Sequence, residues 1–193
     1  MALKLLRTIR LDASDTFVFE RAAEPGEWAV SGGFMFWGAD PRTLAGREKQ
    51  AFRAGFLGIG TFGWSTLAVV VEATEAEREA AVAALAARLV ADHGAPSLEA
   101  GLAAAAEEIA FSAELAQHPV QTLVALHRTV TADGNVSEQF RTFRAAEAKA
   151  AVAMPCSAGA FAMVPDDGDE TAVASDEVDL AALVAANTTG RAP

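Results

Sequence analysis

The chain has 193 residues, of which 52% are apolar and 21% charged, and its formal net charge is -11. A chain of this length and composition buries enough apolar surface to fold without disulfides or a structural metal. Because Cys156 is the only cysteine, an intramolecular disulfide and a multi-cysteine zinc or iron–sulfur site are excluded. We expect no cofactor. The negative charge also predicts no binding to nucleic acid, which needs a basic surface.

The apolar segments are short throughout the sequence. None approaches the roughly 18 to 20 residues of a membrane-spanning helix. The first residues carry too short an apolar stretch for a signal peptide. We therefore expect a cytoplasmic protein that does not bind a membrane.

The composition changes along the chain. Ten of the 14 aromatic residues and nine of the 15 glycines lie within residues 17–64, whereas alanine dominates residues 73–116. Residues 164–193 hold seven acidic side chains and a single basic one. This pattern predicts a single α+β domain over residues 1–163 and an acidic C-terminal appendage over residues 164–193.

The aromatic-rich third reads mainly as strands. Alternating apolar residues predict strands over 5–11, 16–21 and 28–37, joined as a meander. Trp28, Val30, Gly32, Phe34 and Phe36 would then share one face of the third strand. Asp40 and Pro41 predict the start of a helix that ends near residue 55.

The middle of the chain predicts a helical hairpin. Residues 63–73 predict an apolar strand, and Thr74 with Glu77 predicts a capping box for the helix that follows. That helix ends at Gly94, and a second helix begins at Ser97 and ends before Pro119. Both helices are rich in alanine, which favours the helical state.

The last part of the sequence combines a clear strand with an ambiguous segment. Residues 120–131 predict a central strand, followed by a turn over 132–135. Residues 137–149 suit either a returning strand or a helix, and we predict the helix because of their alanines and charged residues. A strand over 158–164 and a helix over 178–186 complete a mainly antiparallel sheet that packs against the alanine-rich hairpin.

A glycine-rich motif over 58–63 matches G-x-G-x-x-G. The dinucleotide-binding pattern requires a strand before the glycines and a helix after them, and here that order is reversed. We expect these glycines to permit a close crossing of loop and sheet rather than to bind a nucleotide.

Three residues make a candidate ligand site. Arg141 and Arg144 could hold the carboxylate or phosphate of a small anionic ligand, with His127 beside them. The arginines could equally pair with the protein's own acids, and His127 could be a hydrogen-bonded core residue. This site would suit an enzyme or binding protein for a small anionic metabolite.

Bulky side chains at Phe34, Phe36 and Trp37 make a candidate interface. On a strand they point to both faces, so one face would fill the core and the other would meet a helix, a ligand or another subunit. We expect a homodimer or another protein partner to cover this surface.

Two resemblances bear on function. The sequence resembles a family of small uncharacterised proteins, mainly from α-proteobacteria, in residues 7–12 (RTIRLD), 17–21 (FVFER), 28–37 (WAVSGGFMFW), 52–56 (FRAGF) and 63–66 (GWST). This family implies no catalytic residues and no reaction.

Residues 28–33 and 58–60 also resemble, more loosely, the nucleotide-binding region of biotin and lipoate protein ligases. The acidic segment 24–27 stands where those ligases carry arginines, which argues against ligase activity. We therefore predict a non-enzymatic accessory or binding protein that acts through its aromatic N-terminal region.

Overall fold

A computed structural model describes residues 2–145 and 163–165. Eight strands form one sheet in the order β4-β3-β2-β1-β5-β6-β7-β8. The strands are β1 (Lys4–Ile9), β2 (Trp28–Val30), β3 (Phe56–Gly58), β4 (Trp64–Ser65), β5 (Leu67–Glu72), β6 (Leu123–Val130), β7 (Val136–Ala145) and β8 (Met163–Pro165). The helices are α1 (Ser14–Val18), α2 (Gly46–Ala54), α3 (Glu75–Asp92) and α4 (Leu98–Leu115), with a short 3-10 helix at Gly33–Phe36.

Neighbouring strands of the sheet are antiparallel throughout the described residues. β1 lies at the centre, where Leu6 is paired with Ala29 of β2 on one side and with Val70 of β5 on the other. All three side chains are buried. The α+β class with an antiparallel sheet is therefore confirmed.

The helical hairpin forms as its local signals predict. The Thr74 hydroxyl accepts from the Glu77 amide over 3.2 Å, and the Glu77 carboxylate accepts in return from the Thr74 amide over 2.8 Å. Ser97 caps α4 by accepting from the Ala100 amide. α3 packs along α4, and α4 lies against β1 and β2. The Ser112 hydroxyl, buried in that contact, donates to the Ala29 carbonyl over 2.8 Å.

Two apolar clusters fill the interior. The first joins the hairpin to the short strands β2, β3 and β4, through Leu85, Ala105 and Ile109 on the helices. The second joins the C-terminal end of α4 to the central strands β1, β5 and β6. No helix in the described part of the chain is long and apolar enough to cross a lipid bilayer.

In the aromatic-rich third, the strand predicted over 16–21 is wrong and the strand predicted over 28–37 is right only at its start. Residues 14–18 of the segment between β1 and β2 form helix α1, whose buried Asp15 accepts from the Thr66 hydroxyl over 2.6 Å. The strand expected over 28–37 ends at Val30. Gly32 has φ +73°, and a Cβ there would lie 2.6 Å from Leu57 Cβ, so the chain leaves the sheet at this glycine. The aromatic residues that follow form a turn instead of a strand face.

The helix predicted over residues 137–149 is also wrong as far as the structure describes it. Residues 136–145 form β7, which pairs with β6 from Val130–Val136 to Leu123–Phe143. A tight turn with Gly134 at φ +85° brings the two strands together. The unpaired backbone groups of β6 thus outweigh the helical preference of the segment.

Three further boundaries differ from the sequence prediction or lie beyond the described residues. The helix expected from Asp40 begins at Gly46, and the Asp40 carboxylate instead accepts from the Arg42 amide over 3.0 Å in a turn. The strand expected over 158–164 is represented by β8, which pairs with β7. The helix expected over 178–186 lies outside the described residues, and the domain boundary at residue 163 stays a prediction.

Candidate functional site

A cavity of about 520 Å³ lies between residues 33–37, α4 and the hairpin of β6 and β7. We call residues 33–37 the aromatic turn and this cavity the turn cleft. Its volume is within the range of small-molecule sites. Aromatic side chains make up much of its lining, and the charged ones are Glu108, Arg128 and Glu138.

Ring contacts hold most of the aromatic turn in place. Phe36 stacks on Trp64 with ring centroids 5.4 Å apart and meets Phe52 edge-on at 5.3 Å. Phe34 meets His93 edge-on at 6.2 Å. Trp37 differs from both, because 84% of its surface is exposed. The turn therefore presents one large exposed ring on an anchored backbone.

Arg128 forms the polar floor of the turn cleft. Its side chain is only 1% exposed, and burial is the main cause that lowers its pKa from the usual value. Nε donates to Glu138 Oε1 over 2.5 Å, and one terminal nitrogen donates to the carbonyls of Phe52 and Gly55 over 3.0 and 3.2 Å. The other terminal nitrogen donates to the Ser31 carbonyl. Arg128 thereby links β7, the end of α2 and the residues just before the aromatic turn.

Glu108 carries a carboxylate oxygen with no protein partner. It lies on α4 one turn before Phe111 and Ser112, so its side chain points towards the sheet. Its Oε2 atom is buried and accepts no hydrogen bond from the protein. Burial, together with the negative charge of Glu138, raises the pKa of Glu108 to about 7. This carboxyl therefore keeps its proton to a higher pH than an ordinary glutamate does.

A second cavity of about 380 Å³ lies between the aromatic turn and the tip of the helical hairpin. Phe34, Trp37 and Glu108 line both cavities. The rest of the second lining is mainly apolar and includes Leu89 and Ala104. A ligand with a polar and an apolar part could use both cavities at their shared border.

A family profile described as "Family of unknown function (DUF6505)" matches residues 1–159. The chain belongs to this family. No curated protein and no solved structure matches the chain. The family profile confirms the resemblance to a family of uncharacterised proteins, and the α-proteobacterial range stays a prediction. The looser likeness to biotin and lipoate ligases stays a prediction.

The structure places the predicted interface residues of this DUF6505 chain around the turn cleft. Phe34, Phe36 and Trp37 all line it, although on a turn rather than on two faces of a strand. Only Trp37 among them is largely exposed. Their role in binding stays a prediction.

The predicted ligand residues do not all meet. His127 is paired with Gln139, and Arg141 with Ala125. The side chains of His127 and Arg141 therefore lie on the same face of the sheet. Arg144 is an odd number of residues from Arg141 and lies on the opposite side. The two arginines therefore do not form one anion-binding pair within the strand, and their function stays untested.

The glycine motif over 58–63 makes the close crossing that its order predicts. Glu27 Oε2 accepts from the Thr61 amide over 2.8 Å, and a Cβ at Gly58 would lie 2.7 Å from that oxygen. A Cβ at Gly63 would lie 2.5 Å from the Ala22 backbone. A carboxylate thus occupies this loop of the DUF6505 chain, where a phosphate would be repelled.

Sequence reasoning missed the roles of Glu108, Arg128 and Glu138. One signal was present: Arg128 follows Val124 and Leu126 at the spacing of the buried face of β6. A buried arginine on a strand calls for an acidic partner on its neighbour, which β7 supplies. In residues 2–145 and 163–165, no group of three or more His, Cys, Asp or Glu side chains converges as metal ligands would.

Proposed function

We propose that this chain is an accessory protein that binds a ligand or partner group in the turn cleft, with Trp37 as its main contact residue. The observation that carries the proposal is the exposed Trp37 ring at the border of two cavities. Exposed tryptophan on a held backbone is typical of recognition surfaces, because the contact orders few additional torsions. The stacking of Phe36 on Trp64 supplies that held backbone.

The proposal includes binding without catalysis. Ser65 is the serine of a G-x-S sequence at residues 63–65. It is buried, and its hydroxyl lies within 3.3 Å of three acceptor oxygens, those of Ile9, Asp15 and Leu67. Its hydroxyl hydrogen is therefore held by protein acceptors. The side chains of the turn cleft offer π faces and a carboxyl group, which are binding groups. We place this activity in the cytoplasm as part of the same proposal.

A ligand screen tests the proposal. The full chain is mixed with cationic, neutral and anionic compounds, and binding is followed by tryptophan fluorescence and by thermal shift. We expect at least one class to bind and the Trp37→Ala variant to lose at least about 1 kcal/mol of that binding energy. Phe17→Ala is the matched control, because Phe17 is 72% exposed on α1, does not line the turn cleft and should not alter binding. Binding that survives Trp37→Ala unchanged contradicts the proposal.

A second copy of the chain is the alternative occupant that the exposed Trp37 favours. Light scattering over a range of concentrations distinguishes it from a small ligand. A dimer of the wild type that becomes a monomer in Trp37→Ala, with no change in fold, supports the homodimer. A wild type that stays monomeric at high concentration rules it out.

A further inference from the structure

We propose that the turn cleft binds an organic ammonium group, with the Glu108 carboxylate as its counter-ion and the aromatic turn as its apolar wall. This inference rests on the proposed function and names its ligand class. The ammonium group could belong to a free alkylamine or to a lysine side chain of a partner protein.

Arg128 attracts the Glu108 carboxylate through its charge but donates its hydrogen bonds to other groups. Arg128 is the basic residue in the lining of the turn cleft, and its guanidinium is engaged by Glu138 and by three backbone carbonyls. One positive charge therefore faces two carboxylates, those of Glu108 and Glu138. An ammonium group beside Glu108 would balance the charge of the site.

The geometry of Glu108 supports a donor ligand. Its Oε2 atom is buried without a hydrogen-bond donor from the protein, which is costly for a carboxylate. The same residue lines both cavities. A ligand N–H that meets the Glu108 carboxyl group where it lines the cavities would supply the donor that it lacks, and a charged N–H would do so most strongly.

The remaining lining suits the rest of such a ligand. Phe34 and Trp37 line both cavities next to Glu108, and π faces attract ammonium groups. The apolar wall of the second cavity, which includes Leu89 and Ala104, offers room for an alkyl chain. An anion would meet the two carboxylates instead, so the site selects against it.

Calorimetry of the full chain with n-hexylammonium tests the inference. The neutral n-hexanol has nearly the same shape and serves as the matched ligand, and hexanoate is the anionic one. We expect hexylammonium to bind at least about tenfold more tightly than hexanol, because only the cation pairs with Glu108. Shortening the alkyl chain should weaken binding by about fourfold per methylene group. A parallel titration with acetyl-lysine-amide shows whether the turn cleft binds a lysine side chain as well as it binds a free alkylamine.

Substitutions on α4 test whether Glu108 contributes to hexylammonium binding. Glu108→Gln should weaken hexylammonium binding by at least about tenfold. Glu114→Gln is the control, because Glu114 also lies on α4, is exposed and lines neither cavity. It should change affinity by less than about twofold.

Proton release gives a readout that a purely structural Glu108 would not produce. Glu108 is faced by Arg128 of β6 and Glu138 of β7, has Glu107 beside it on α4, and shares the second cavity with His93 of α3's C-terminal end. At pH 7 a bound ammonium should release protons from the wild type, measured as a dependence of the binding heat on the buffer. The release should be absent in Glu108→Gln.

The outcomes of these experiments distinguish failure of the ammonium inference from failure of the proposed function. Equal binding of hexanol and hexylammonium, unchanged affinity in Glu108→Gln, or no hexylammonium binding overturns the ammonium inference. If hexanol or hexanoate then binds and Trp37→Ala abolishes that binding, the proposed function stands without the ammonium. If hexylammonium binds with the expected Glu108 dependence but independently of Trp37, the ammonium site stands and Trp37 is not its contact residue.

Discussion

Arg128 of β6 and Glu138 of β7 lie directly opposite each other in the antiparallel ladder, and Arg128 Nε donates to Glu138 Oε1 over 2.5 Å. The guanidinium also binds the carbonyls of Ser31, Phe52 and Gly55. One side chain thus joins the C-terminal hairpin to the end of α2 and to the start of the aromatic turn. The shape of the turn cleft depends on this buried cation.

The first prediction concerns this cation. Arg128→Met should lower the free energy of unfolding by about 3 kcal/mol, because it leaves Glu138 and three carbonyls without their donor. Urea denaturation measures the loss. Arg78→Met removes an arginine of the exposed pair with Glu75 and should cost far less, because water screens that pair. If both variants lose the same free energy of unfolding, the buried hydrogen bonds of Arg128 stabilise the fold no more than the exposed pair does.

The second prediction concerns the pH dependence of stability. The pKa of Glu108 is about 7 in the folded chain, against 4.5 for an ordinary glutamate. Between these values the folded state holds a proton that the unfolded state has lost, so stability falls as pH rises through this window. Glu108→Gln removes the effect.

Urea denaturation at several pH values measures this difference. Glu108→Gln should match the wild type near pH 4.5 and exceed its free energy of unfolding by about 2 kcal/mol at pH 8. Glu114→Gln carries the same charge change at an exposed position of α4 and should show no such pH-dependent gain. A constant difference between Glu108→Gln and wild type at all pH values contradicts the buried, protonated carboxyl.

The third prediction separates two roles of glycine. At Gly63 a Cβ would lie 2.5 Å from the Ala22 backbone, so Gly63→Ala should destabilise the fold by about 3 kcal/mol. Gly26 has φ +87° but open space around it, so Gly26→Ala should cost only about 1 kcal/mol. Thermal unfolding compares the two variants. A smaller loss at Gly63 than at Gly26 would contradict the close crossing of the glycine motif.

Sequence patterns predicted the elements whose hydrogen bonds are local. The capping box of Thr74 and Glu77, the Ser97 cap and the turn at 132–135 all form within a few residues of chain. Such contacts are encoded by neighbours in sequence, and the helical hairpin followed from them.

The incorrect sequence predictions concern elements that depend on long-range contacts. β7 is a strand because β6 offers it a ladder, which no window of residues 137–149 contains. The aromatic turn exists because Gly32 fits against Leu57, a residue 25 positions later. Glu108 could not be predicted from the sequence, because α4 carries several glutamates. Only the packing of α4 on the sheet distinguishes Glu108 from the others.

The final prediction separates Phe36 from Trp37, which the sequence grouped as one interface. Phe36 stacks on Trp64 and packs against Phe52, so Phe36→Arg should lower the free energy of unfolding by about 3 kcal/mol. Trp37 is 84% exposed, so Trp37→Arg should change stability by less than about 0.5 kcal/mol.

Urea denaturation and light scattering on the same samples test this separation. A loss of self-association or ligand binding in Trp37→Arg, at unchanged stability, reports on the surface alone. The same loss in Phe36→Arg reports on the fold as well, because the aromatic turn is then no longer held against Trp64. Equal destabilisation by the two substitutions would mean that Trp37 is packed in solution, and Trp37 could then not serve as the free contact residue of the turn cleft.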